Sequence, residues 1–159
     1  MSDNPNETPE IPDVLAPPPL PYAGALGAGL LAKALFPVGF VPSRISRVLG
    51  FPLLGCGLLM FLASLCAMRR AGTDASPYKP AASLVVEGPY RFTRDPIYLG
   101  FTPAYGGIAA LADSLWAVLL LPFVLVVMRR GIIDREEQYL ERIFGEEYVR
   151  YKTRVRRWI

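Results

Sequence analysis

The chain has 159 residues, 52% of them hydrophobic and 19% charged, with a formal net charge of +3, two cysteines and no histidine. That length serves one domain, and the missing histidine excludes bis-histidine haem and histidine-based metal sites and removes the commonest general base. The apolar residues run in long blocks rather than in the interrupted patterns of a soluble core. The expected fold class is therefore all-α and integral to the membrane, with about four transmembrane helices followed by cytoplasmic C-terminal amphipathic helices.

Residues 1–21, "MSDNPNETPEIPDVLAPPPLP", read as a disordered Pro-rich leader. The apolar block behind it is no cleavable signal, because acidic, Pro-rich sequence precedes it and no convincing small-residue cleavage site ends it. Blocks at 22–41 and 45–68 are each long enough to cross a bilayer and form an N-terminal hairpin, 22–68, joined through "VPSRIS". Small residues in "AGALGAG" permit close helix contact, and Lys33 is expected to face the bundle or to snorkel. Cys56 and Cys66 share one helix roughly 15 Å apart. They cannot bridge each other and read as packing residues.

The segment 69–95 is too rich in Pro and Gly for a regular helix, yet too aliphatic and aromatic for a disordered linker. Its "ASLVV" fits either a membrane-surface segment or a short strand-like one. A third block, 96–112, opens at Asp95-Pro96, where Asp suits the N-cap and Pro the first helical position. After a tight turn at Asp113-Ser114 comes the fourth, 114–133, in which Pro122 is expected to introduce a kink. The tail, 134–159, carries an apolar stripe of Leu140, Ile143 and Phe144 that stops at Gly145. Tyr148, Tyr151, Val155 and Trp158 then recur at helical spacing on a basic stretch, the pattern of a helix in the headgroup layer anchored by Trp158.

Basic residues orient the chain. Arg69, Arg70, Lys79, Arg91 and Arg94 lie in the 69–95 loop, and nine more from Arg129 to Arg157 lie at the end of the fourth block and in the tail. The other side offers only Arg44 and Arg47. By the positive-inside rule the loop, the tail and both termini are cytoplasmic. Topology and anionic lipid account for these charges, so no nucleic-acid partner is expected.

Two polar clusters thus share the cytoplasmic face: "GPYRFTRDPIYLG" at 88–100 and Glu136-Glu137 directly after the fourth block. Each has a plain structural reading. Arg91 and Arg94 can be topology flanks, Asp95 a helix cap, Tyr98 an interfacial aromatic, and the glutamates a solvated face paired with Arg135 and Arg142.

Taken together, R-x-P-x-Y-x-G, the following hairpin and E-E-x-x-L-x-x-x-F-G-x-x-Y-x-x-Y resemble the isoprenylcysteine carboxyl methyltransferase and phospholipid methyltransferase superfamily, from about residue 69 to the C-terminus. The resemblance implies a catalytic core at 69–159, made of a cofactor loop 69–95, a helical hairpin 96–133 and the tail. It also implies a cytosol-facing S-adenosylmethionine pocket, a lipophilic small-molecule or lipid substrate arriving from the bilayer, and, for a small bacterial-type member, a place in the inner membrane. Carried over residue by residue, Ala82, Ser83, Leu84 and Val85 match a segment that wraps the cofactor, and Tyr90 an aromatic contact. Arg94 and Gly100 bound the motif, within which Asp95, Pro96, Ile97 and Tyr98 match the family's His-Pro-x-Tyr. Glu136 matches the acidic cofactor ligand, with Glu137 beside it. Asp95 departs from the family histidine. Ile132 stands where prenylcysteine enzymes place a substrate arginine, leaving Arg129 and Arg130 as substitutes. No metal site is implied, and oligomeric state is not legible.

Two rival readings accompany this one. A sterol-reductase-type membrane enzyme would bind NADPH, but no added basic cluster is placed for a ribose phosphate. A non-catalytic scaffold would use Arg154, Arg156 and Arg157 for lipid or a partner and would have no cofactor-sized cavity.

Overall fold

The computed structural model describes residues 17–74 and 80–158. Most of the leader, residues 1–16, and Lys79 of the basic loop lie outside the described residues. All regular structure among the described residues is helical. Helices α1 (Pro19–Leu35) and α2 (Ser43–Arg70) come first, followed by a loop with one 3₁₀ turn, Gly88–Arg91. Helices α3 (Pro96–Leu111) and α4 (Leu115–Met128) follow. A π-helical turn, Arg129–Ile133, carries α4 directly into α5 (Asp134–Phe144), and α6 (Glu146–Arg154) ends the regular structure. The "ASLVV" segment forms no strand; it is held in irregular conformation, with Ser83 Oγ donating to the Ala71 carbonyl at 2.6 Å.

Two helical bodies are long and apolar enough to cross a membrane, α2 and the continuous run Leu115–Phe144. Helices α1 and α3, at 17 and 16 residues, fall short of the roughly 20 that a full crossing takes. Of the four expected spans, two correspond to helices of sufficient length, and α1 and α3 are shorter. Large apolar side chains stand exposed along α2 and α4, Phe51, Leu59, Leu62, Leu119 and Phe123 among them. An apolar exterior of that extent marks a surface made for lipid or a partner rather than water.

Helix α2 packs along α3, and α1 along α4. Close approach depends on glycine. A Cβ on Gly57 would sit 2.5 Å from the Gly100 carbonyl oxygen, and one on Gly107 would sit 2.6 Å from the Leu54 nitrogen. In α1 only Gly29 has such a role, against Ala117, while Gly24 and Gly27 meet nothing.

At the end where α3 stops, polar groups close the bundle. Asp113, held at a φ of 47°, accepts from the backbone N–H groups of Phe40 and Val41 at 3.0 and 3.1 Å. Those bonds hold its carboxyl below the usual range. Ser114 caps α4 and donates to the Gly29 carbonyl at 3.0 Å. Lys33 donates to the Ala112 carbonyl. Its charge therefore meets the C-terminal end of α3, where a cation is favoured. The opposite end, where α3 begins and α5 leaves the bundle, is left to build a site.

One expectation needs correction. The Tyr148–Trp158 pattern is not one helix in the headgroup layer. Helix α6 ends at Arg154, Val155 is extended, and Trp158 packs against the bundle core. Residues 93–94 capture the tail: Thr93 Oγ1 donates to the Arg157 carbonyl at 2.5 Å and the Arg94 N–H to the Arg156 carbonyl at 3.1 Å. Tyr148 and Tyr151 are buried. Their spacing records an inward face, because the chain turns at Gly145 (φ 50°) and α6 folds back so that Tyr151 meets the Tyr90 carbonyl.

Candidate active site

A cavity of about 110 Å³ opens between the 81–98 segment, the start of α3, and helices α5 and α6. Its front wall is Tyr90, Arg94, Asp95, Pro96, Ile97 and Tyr98; Ser83, Leu84 and Val85 close one side. Glu136 and Glu137 form the back wall. Of the residues singled out from the motif, Ala82 and Gly100 do not line it. Ala82 instead donates its N–H to Thr73 Oγ1 at 3.2 Å, and Gly100 faces α2.

Front and back are joined directly. The Tyr98 hydroxyl donates to Glu136 Oε2 at 2.5 Å, spanning α3 and α5. Burial, opposed by that bond and reinforced by the neighbouring Glu137, pushes the Glu136 carboxyl up. Glu137 is matched differently. Arg157 reaches it through two parallel contacts, Nε to Oε1 at 2.9 Å and Nη2 to Oε2 at 2.6 Å, and touches Asp134 at 2.7 Å. Arg94 Nη1 lies 2.9 Å from Glu137 Oε1, a charge contact without hydrogen-bond alignment, and its Nε has no hydrogen-bond partner. The expected pairing of the glutamates with Arg135 and Arg142 is thus replaced, for Glu137, by Arg94 and Arg157.

Asp95 occupies the N-cap position of α3, yet its side chain caps nothing. Its N–H bonds Thr93 Oγ1 at 3.3 Å, and its Oδ2 is buried without a hydrogen-bond partner. Burial, with Glu136 and Glu137 adding to it and Arg157 and Arg94 opposing, pushes its carboxyl up to about 8. At neutral pH it is largely a neutral acid.

Aromatic rings fill out the wall. Tyr139, Tyr148 and Tyr151 line the cavity beside Tyr90 and Tyr98. Tyr151 donates to the Tyr90 carbonyl at 2.7 Å, and Tyr139 accepts from the Ala81 N–H at 3.0 Å. Burial raises the phenols of Tyr90, Tyr148 and Tyr151, which stay neutral. Sequence reasoning missed Tyr139, Tyr148 and Tyr151 as cavity elements and Arg157 as the partner of Glu137. Phenols on an otherwise charged stretch were the available signal, and lipid was the simpler account of it.

A second cleft, about 420 Å³, lies on the α4 side between Leu125, Val126, Arg129, Arg157 and Trp158. Arg157 therefore stands between the two spaces. Arg129 and Arg130 are exposed on the π turn, whereas Ile132 is wholly buried in the core. A residue at position 132 faces protein, so the cations nearest the second cleft come from one turn earlier and from the tail.

The donor set can be tested against a sulfonium cofactor. Such a ligand needs carboxylates for its ammonium or ribose hydroxyls, aromatic faces for its sulfonium and an apolar seat for its base. Glu136, the orphaned Asp95 Oδ2, five tyrosines and the Leu84–Val85 side meet each need. The residues fit.

The family model described as phospholipid methyltransferase matches residues 45–147. The chain is 34% identical over 115 residues to a protein-S-isoprenylcysteine O-methyltransferase from Schizosaccharomyces pombe, covering 69% of this chain and 47% of that enzyme. An uncharacterized Haemophilus influenzae protein is 49% identical over 49 residues, 31% of this chain and 76% of its own. The chain thus spans about half the length of the named enzyme it matches. No solved structure matches it.

Proposed function

The chain belongs to the phospholipid methyltransferase family, and from that premise we propose that it is a membrane-embedded, S-adenosylmethionine-dependent methyltransferase of a small lipophilic acceptor at the cytoplasmic face. The observation that carries this reading is the Tyr98–Glu136 bond across an aromatic cavity, which joins the two halves of the motif in one wall. When bound, the cofactor supplies an electrophilic methyl group on sulfur. Glu136 and Asp95 would hold its cationic and hydroxyl groups, and Tyr90, Tyr98 and Tyr148 would offer ring faces to the sulfonium.

Displacement at a sulfonium methyl asks for alignment and a dry nucleophile rather than a strong base. The chain's lack of histidine is compatible with that. The buried phenols and the captured C-terminal tail exclude water, and the second cleft gives a lipophilic acceptor a seat against Leu125 and Val126, with Arg129 and Arg157 near its polar end. Carboxylate, thiol and lipid amine are all acceptors this arrangement can desolvate.

The reductase reading finds little support. NADPH would ask for a spare cation near the cavity, and Arg94 and Arg157 are both engaged by Glu137.

Membranes from cells producing the protein, given S-adenosylmethionine labelled in its methyl group, should place label in the lipid-extractable fraction in proportion to the amount of protein. Membranes carrying Tyr98→Phe should place much less. Equal labelling with and without the protein, across lipid extracts from several bacteria, would contradict the proposal.

A further inference from the structure

The cavity holds more negative charge than its cations match. Asp134 and Glu137 are taken up by Arg157 and Arg94. Asp95 and Glu136 have no ion pair among the described residues. What faces Asp95 is mostly acidic or neutral. From its own segment come Arg94 and Tyr90, from α3 Tyr98, and from α5 Glu136 and Glu137. Helix α6 contributes Tyr148 and Tyr151, and the tail Arg157. Two carboxylates left over in one buried space cannot both ionise cheaply, so the pair holds a proton. Asp95 has the geometry for it: at a helix N-terminus, where a carboxylate would ordinarily cap, its side chain makes no cap bond and its Oδ2 is buried without a partner beside the cavity.

Resting on the methyltransferase reading, we propose that Asp95 sets the specificity of the site for a net-cationic ligand: the Asp95–Glu136 pair holds one proton in the free protein and releases it when the sulfonium cofactor binds. S-adenosylmethionine carries a net charge of +1, with sulfonium and ammonium against one carboxylate. After methyl transfer the thioether product is net neutral. The proton returns to the pair as the product forms or leaves, and the site loses its electrostatic hold on the product. Asp95 therefore favours donor over product, a discrimination that a histidine at this position would not provide by charge.

The burial of Asp95 supports the direction. Its carboxyl goes from 3.8 to about 8 on folding, so the folded protein holds the extra proton between those values. This group's contribution to stability is complete below pH 3.8 and is lost as pH rises through about 8. A cation that binds the ionised pair inverts the preference.

The test is calorimetric titration of the full-length protein in detergent between pH 6 and 7.5, where the ligands' own charges barely change. It uses S-adenosylmethionine and S-adenosylhomocysteine in two buffers of different ionisation enthalpy, and the proton count is read at pH 6 to 7, below the titration of the donor's own ammonium. Wild type should release close to one proton per S-adenosylmethionine bound, with affinity rising about tenfold per pH unit. S-adenosylhomocysteine should show neither effect. In Asp95→Asn the proton release and pH dependence should vanish, and the preference for donor over product at pH 7.5 should fall by about tenfold. The wild-type proton count decides the matter even if the variant does not fold. Binding of both ligands without proton release, at pH-independent affinity, would overturn this inference and leave the methyltransferase reading standing. Binding of neither by folded protein would overturn both.

Discussion

Glu136→Gln is expected to weaken S-adenosylmethionine binding about thirtyfold, the loss of roughly 2 kcal/mol for a hydrogen bond to a charged group. Gln keeps the size of the side chain and still offers an oxygen to the Tyr98 hydroxyl, now 2.5 Å from Glu136 Oε2. The bridge between α3 and α5 therefore survives while the charge is removed. Thermal stability in detergent should stay within about 1 kcal/mol of wild type. That separation is the informative part, since a drop in affinity with intact stability assigns Glu136 to the ligand rather than to the fold. Unchanged affinity would remove Glu136 from the site.

Arg157→Ala should act on the fold itself. Its guanidinium is the bidentate partner of Glu137, whose side chain is only 7% exposed, and it also holds Asp134. Those contacts raise the Arg157 group above its ordinary value, so it is charged at every accessible pH. Its removal leaves Glu137 with only the misaligned Arg94 contact, and breaking a buried pair in this way costs about 3 kcal/mol. The tail then loses its ionic latch and keeps its backbone contacts to residues 93–94 and the packing of Trp158. A clear fall in thermal midpoint and loss of ligand binding are expected together. Arg154→Ala and Arg156→Ala, at exposed positions, should change neither by much. Three equal effects would instead point to a tail that works only by its charge.

That contrast shows where the sequence was legible. The apolar blocks marked the helices to within a few residues for α2 and α3, because long hydrophobic runs leave little choice of structure. Gly145 ended α5 as its position demanded. Motif residues from Ser83 to Tyr98 and the Glu136-Glu137 pair also fell around one cavity. The tail was another matter. Arg154, Arg156 and Arg157 look alike as basic residues behind a membrane helix, and only the return of the chain at residues 155–158 along Thr93-Arg94 singles out Arg157. A hydrogen bond between residues 64 positions apart leaves no local pattern. Tyr148 and Tyr151 were hidden in the same way, since a stripe facing lipid and a stripe facing a cavity have the same period.

Asp95 taught the opposite lesson. An Asp-Pro at a helix start is a sound capping signal, and the residue does sit at the N-cap position. Yet the side chain makes no cap bond, because the same loop turns it toward the acidic wall. Local propensity chose the position, and the tertiary surroundings chose the role.

The central claim is that this cavity binds S-adenosylmethionine, and the most direct measurement is titration of the purified, folded protein with that ligand beside NADPH. Saturable binding of S-adenosylmethionine, with NADPH giving no heat, is the result expected. Saturable binding of NADPH alone would contradict the account and return the chain to the reductase reading, and binding of neither would leave a scaffold with an inherited cavity.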